Sequence, residues 1–146
     1  MVAYLNPPAY ATVVEIEWDR GGRFDLYAAQ TDYYRRQNIE VRLGHCASAC
    51  TFALSLPNVC VYPSSELGFH LPHYRAQELA SGGRVMPIDF WTQKMLAYYP
   101  QKVRARLGGL TDAMMYLSGE DLIQSGVKQC VGEQPSGGLN WLRRFF

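Results

Sequence analysis

Hydrophobic and polar positions change their period several times along this chain, and each change marks an element. Residues 10–18, Tyr-Ala-Thr-Val-Val-Glu-Ile-Glu-Trp, are β-branched and aromatic with partial alternation, which predicts a strand. Asp19-Arg20-Gly21-Gly22 stops it with a turn in which glycine tolerates positive φ. From Asp25 to Gln37, Leu26, Tyr27, Ala29, Tyr33 and Tyr34 recur at roughly helical spacing and predict a helix. Ile39 to Leu43 is a short second strand. Gly44-His45-Cys46-Ala47-Ser48 reads as a sharp turn of small residues. It feeds Ala49 to Leu56, a nearly all-apolar segment predicted as a short helix buried on every side and ended by Pro57-Asn58.

Two further short strands are expected at 59–62 and 66–70, with Pro72 limiting the second to a strand end. Ser81-Gly82-Gly83 is a loop. Ile88 to Tyr99 is helical in pattern, Pro100 breaks it, and Gln101 to Leu107 continues it. Ser118-Gly119-Glu120-Asp121 carries an N-cap signature. A short helix from Leu122 to Ser125 follows, closed by Gly126, and Val127 to Val131 is a last strand. Strands alternating with helices predict the α/β class, built from repeated βαβ units with parallel strands. Sites in such sheets collect at the carboxyl ends of strands. Both glycine-containing turns, after Trp18 and after Leu43, fall at such ends.

The 146 residues fit one domain, with a core from about residue 10 to residue 131 and a tail over 132–146. Apolar residues make up 48%, enough for a substantial core. The net charge of +1, with Lys and Arg scattered, argues against nucleic acid and anionic membrane surfaces as partners. No stretch approaches the roughly 20 apolar residues of a membrane span, and residues 1–8 lack the pattern of a signal peptide. The tail, ending Trp141-Leu142-Arg143-Arg144-Phe145-Phe146, reads as a docking or packing segment. Cys46, Cys50, Cys60 and Cys130 permit three full disulfide connectivities, among which spacing does not choose. Buried free thiols are the first reading and a disulfide pair the second. The two imply opposite compartments, so localisation stays open.

Ser48 stands where a turn meets a helix start. The N–H of Ala49 is then an unpaired donor of the first helical turn, beside the serine oxygen. A second oxyanion donor is expected from Gly22, in the two-glycine turn at the end of a neighbouring strand. A serine hydroxyl needs a base. Of the three histidines, His45 precedes the serine on the same turn and points elsewhere, and His73 follows Pro72 as a surface residue. His70, at the end of its strand, reaches the edge where sites form.

These residues resemble a known family. Gly44-His45-Cys46-Ala47-Ser48-Ala49-Cys50-Thr51-Phe52 is similar to the nucleophile segment of the proteolytic subunit of Clp protease. Pro63-Ser64-Ser65-Glu66-Leu67-Gly68-Phe69-His70-Leu71-Pro72 resembles its catalytic-histidine segment. Ile16-Glu17-Trp18-Asp19-Arg20-Gly21-Gly22 resembles its oxyanion-hole turn, and Tyr116-Leu117-Ser118-Gly119-Glu120-Asp121 through Gly126-Val127 resembles its Phe-Met-Ser-Ala-Glu-Glu segment. The Cys-x-Ser-Ala-Cys turn is similar to that of Clp-like predicted periplasmic proteins. The resemblance covers most of residues 13–131. It implies a crotonase-like fold, a serine-type peptidase mechanism on a peptide or protein substrate, no cofactor, and a homo-oligomer. It also suggests a periplasmic location.

The family's third catalytic residue is an aspartate, and Met114 stands at that position here. Asp112, two residues earlier, is the candidate orienting acid. The family's first strand has no counterpart in this sequence, so an open sheet edge covered by a partner or a second copy is expected. The absent aspartate keeps a rival in view, a non-catalytic scaffold or peptide-binding module. Two others are an acyl-coenzyme A enzyme using the same oxyanion hole, and a metal site built from Cys46, Cys50, His70 and His73.

Overall fold

A computed structural model of the chain describes residues 13–72 and 88–135. The start of the first strand at Tyr10, His73, the Ser81–Gly83 loop and the Arg143–Arg144 tail lie outside the described residues. The elements run β1 (Val13–Asp19), α1 (Phe24–Arg36), β2 (Glu40–Ala47), a 3₁₀ helix (Ser48–Ser55), β3 (Val59–Phe69), α2 (Ile88–Leu96), α3 (Gln101–Leu107), β4 (Met115–Ser118) and α4 (Gly119–Gln124). They form a mixed α/β domain around a four-stranded sheet of order β1-β2-β3-β4. The pairs β1–β2 and β2–β3 are parallel, and β4 runs antiparallel to β3. The expectation of parallel strands therefore holds for the first three strands only. β4 was not expected at all. Its Met-Tyr-Leu-Ser run is too short to show a period and becomes a strand by pairing with Glu66 to Phe69.

Three other expectations are corrected. Residues 44–47 are not a turn: β2 continues through them because Cys46 and Ala47 pair with Leu67 and Gly68. The two strands expected at 59–62 and 66–70 are one, β3. Its register against β2 shifts between Leu43 and His45, where residues 62–65 leave the ladder. Ser65, almost fully buried, fills that gap: its hydroxyl donates to the Leu43 carbonyl and accepts from the Tyr62 N–H. The last strand, expected over 127–131, is reduced to an isolated bridge between Val61 and Gln129.

The helix limits follow local chemistry. α3 begins after Pro100 and ends at Gly108, whose φ of +69° is the left-handed cap glycine favours. α4 opens with a capping box. The Ser118 hydroxyl accepts from the Asp121 N–H, and the Asp121 carboxylate accepts from the Ser118 N–H. Gly119 lies so close to the Tyr62 carbonyl that a Cβ there would overlap it.

The core packs Val41, Leu43, Leu67 and Phe69 of the sheet against Phe52 of the 3₁₀ helix, Met95 and Tyr99 of the α2 region, and Val103 and Leu107 of α3. Leu122 of α4 joins it. Phe24 connects the layers edge-on to Phe52 (4.8 Å) and Trp91 (5.0 Å), and Phe52 stacks on Tyr98 at 4.4 Å. The inward stripe of α1 is Phe24, Tyr27, Thr31 and Tyr34, rotated from the expected one. Leu26 and Tyr33 face outward.

Candidate active site

The 3₁₀ helix takes its start from Ser48. Ala47 before it is extended, and Ser48 itself has φ +58°. A left-handed serine costs on the order of 1–3 kcal/mol and persists only where its surroundings impose it. Several groups do so here. Thr51 donates its hydroxyl to the Ser48 carbonyl at 2.5 Å. The Thr51 hydroxyl in turn lies 2.7 Å from the buried phenol of Tyr99, which must donate, since the only Thr51 hydrogen is already used. Burial pushes the Tyr99 phenol well above its ordinary pKa and keeps it in that donating form.

Cys46 and Cys50 are joined in a disulfide that brackets Ser48, with Cα atoms 5.5 Å apart. Cys60 and Cys130 form a second. The first reading of the cysteines, buried free thiols, is thereby overturned: no cysteine is free. Proximity in the fold, invisible in the linear spacing, brings each pair within bonding reach. The metal alternative loses both thiolates to the first bridge.

The β1 turn converges on the same point. Asp19 pairs in register with Cys46, so the residues after it pass beside Ser48. Gly21 has φ +83°, and a Cβ placed on it would lie 2.6 Å from the Ala47 carbonyl oxygen, 2.7 Å from the Ser48 Cβ and 2.9 Å from the Ala49 nitrogen. No other residue type fits there. The Asp19 carboxylate shapes this turn: its Oδ1 accepts from the Gly21 N–H at 2.8 Å and from the Tyr27 hydroxyl at 2.7 Å. Burial, followed by that carboxylate, raises the Tyr27 phenol to about 12. With the Gly21 N–H turned to Asp19, the next amide, that of exposed Gly22, is the donor this turn can offer a ligand.

His70 follows β3 directly. Ala47 pairs with Gly68, so Ser48 and His70 leave the carboxyl ends of adjacent parallel strands, which are spaced about 4.8 Å apart. His70 is half-buried, and its Nδ1 lies 2.5 Å from the Leu71 carbonyl oxygen. A carbonyl only accepts, so Nδ1 carries a proton; in the neutral ring the lone pair then falls on Nε2, the tautomer a general base uses. The Leu71 N–H is held by the Thr111 carbonyl at 2.8 Å. Asp112 is the next residue on that segment and is exposed. Met114 is packed over Gly68, with its sulfur 2.7 Å from where a glycine Cβ would be. His45 packs edge-on against Trp18, with ring centroids 5.7 Å apart.

Ser48, the Ala49 amide and the Gly21-Gly22 turn are thus brought together, with His70 on the neighbouring strand end. Sequence reasoning chose Gly22 and missed Gly21 as the residue of closest approach. It also missed Asp19, whose Asp-x-Gly spacing is a recognisable turn signal. Thr51 and Tyr99 carried no signal, since their contact is tertiary. No family model and no curated protein matches the chain.

Proposed function

We propose that this protein is a serine-type hydrolase resembling Clp-type peptidases, in a crotonase-like fold. The observation that carries the reading is the contact of the Gly21 backbone with Ser48 and the Ala49 nitrogen, at a serine held with positive φ. That contact joins a nucleophile turn to a second amide-bearing turn, the arrangement acyl transfer needs. The tautomer of His70 supports it further.

In this mechanism the Ser48 Oγ attacks the carbonyl carbon of a peptide or protein substrate as His70 Nε2 takes its proton. The N–H groups of Ala49 and Gly22 stabilise the oxyanion. Collapse breaks the C–N bond, and His70 returns the proton to the leaving amine. Water, deprotonated by His70, then cleaves the acyl-serine. The Leu71 carbonyl orients His70 through Nδ1; Asp112, exposed on the segment whose Thr111 binds Leu71, is the candidate acid that would have to displace that carbonyl to take the role. The expected homo-oligomer, or another partner, would cover the β1 edge, which pairs with no further strand among the described residues. Two disulfides support an oxidising compartment, consistent with the periplasmic suggestion.

A fluorophosphonate probe tests the reading. Labelling of the wild type that vanishes in Ser48→Ala, with turnover cut by roughly 10³-fold in His70→Ala, is the expected outcome. Absence of labelling at any pH favours the non-catalytic scaffold, a reading supported by Met114 packing where the family carries its acid. Near-wild-type turnover in His70→Ala removes the base assignment.

A further inference from the structure

We infer that the Cys46–Cys50 disulfide is a positioning element of the active site, which locks the Ser48 turn in its reactive conformation. This rests on the hydrolase reading above and adds a residue pair to it.

The bridge encloses only Ala47, Ser48 and Ala49. It ties the penultimate residue of β2 to the first turn of the 3₁₀ helix. The enclosed segment holds the nucleophile and the oxyanion donor, and its central residue is one of two described non-glycine residues with positive φ. Without the tie, the intrinsic preference of serine for negative φ acts directly on this turn. Any relaxation would swing both the hydroxyl and the Ala49 N–H away from the Gly21 turn. The two sulfur-bearing residues are 2% and 4% exposed, so the bridge is shielded from casual reduction and thiol exchange. A ring this small restricts the unfolded chain much less than the Cys60–Cys130 bridge, whose partners are 70 positions apart. Its principal effect is therefore on native geometry at Ser48.

The test compares three proteins: wild type, Cys46→Ala/Cys50→Ala, and Cys60→Ala/Cys130→Ala. Each is measured for the rate of Ser48 labelling by the fluorophosphonate, for kcat and KM on a peptide substrate, and for Tm. The 46/50 variant is expected to label about 10²-fold more slowly, with the loss in kcat and little change in KM. The 60/130 variant is expected to lose more Tm yet label at nearly the wild-type rate below its transition.

Reduction provides a route that does not depend on the 46/50 variant folding. In the 60/130 variant the sole remaining bridge is Cys46–Cys50. A water-soluble phosphine converts it to two thiols and becomes the phosphine oxide, with water supplying the oxygen and both protons. Labelling should fall on reduction and return on re-oxidation. Equal labelling with the bridge open and closed overturns the inference while leaving the hydrolase intact. A wild type that never labels overturns the hydrolase reading itself, and the inference with it.

Discussion

The two edges of this sheet are each stapled by a disulfide, and the staples serve different ends. At the carboxyl edge, Cys46–Cys50 closes a short ring around Ser48, next to the positive-φ backbone of Gly21 and beside half-buried His70. At the amino edge, Cys60–Cys130 ties the start of β3 to a segment far along the chain, where Val61 also exchanges hydrogen bonds with Lys128 and Cys130. There the backbone that carries the bridge is paired with β3, left-handed Asn38 leads into β2, and charged groups are paired. Tyr62 donates to Glu15, while Arg42 bridges Glu40 and Glu15. Each edge holds one described left-handed non-glycine residue, Asn38 before β2 and Ser48 after it, and at Ser48 a disulfide and the Thr51 hydroxyl close around the turn. The amino edge is a region of ordinary cross-strand pairing whose bridge acts over a long loop. The same covalent bond contributes mainly through the unfolded ensemble in one place and through native geometry in the other.

Removing each bridge is the strongest way to break this comparison. Opening Cys60–Cys130 should cost about 4 kcal/mol in urea unfolding, and opening Cys46–Cys50 about 2 kcal/mol. The order for Ser48 labelling should be reversed. If both variants lose stability and labelling in proportion, the two edges are not distinct. Next in size is Gly21→Ala, which forces a methyl into Ala47, Ser48 and Ala49 at a positive φ. A loss of roughly 3 kcal/mol is expected, together with labelling at Ser48; unchanged labelling would mean that the turn does not shape the site.

A smaller change is expected from Tyr99→Phe. It removes the donor behind Thr51 and leaves the threonine hydroxyl with its bond to the Ser48 carbonyl, for about 1 kcal/mol of stability. Slower labelling in this variant would show that the tether reaches Ser48, and an unaltered rate would confine it to the core. The mildest probe is alkaline pH. Tyr27 at the carboxyl edge and Tyr62 in the polar pairs near the amino edge are both raised from 10.0 to about 12, by burial first and then by Asp19 and Glu15. A phenol that ionises later in the folded chain stabilises it fully below pH 10. That contribution is lost as pH rises through about 12. Absorbance titration should therefore show late phenols coupled to unfolding, Tyr27 and Tyr62 among them beside the more deeply buried Tyr99. Tyr27→Phe should remove one and Tyr62→Phe another, and an unaltered titration in either variant would refute the assignment.

Much of the fold was legible because its signals are local. The periodicity of α1, the Pro100 break and the Ser118–Asp121 capping box act within a few residues, and the structure places elements at each. The pairing of Cys46 and Ala47 with β3, the strand at 115–118 and both disulfides were not legible, because each depends on a partner distant in the chain or on the path between two residues. At the site, Ser48, His70, Gly22 and Ala49 came from residue types at turns and strand ends. Gly21, Asp19, Thr51 and Tyr99 entered only with the packing.

By itself the sequence determined where the chain stiffens and bends, and which side chains with hydroxyl, imidazole or glycine character fall at those bends. Propensity, capping and turn preference are properties of neighbouring residues, so a linear string contains them. Tertiary structure alone decided which bends meet. Sheet register carries the β1 turn onto Ser48 and sets His70 on the adjacent strand end, and chain folding selects one disulfide connectivity from three. Those outcomes depend on distances across the sheet, which arise only when the hydrophobic core closes.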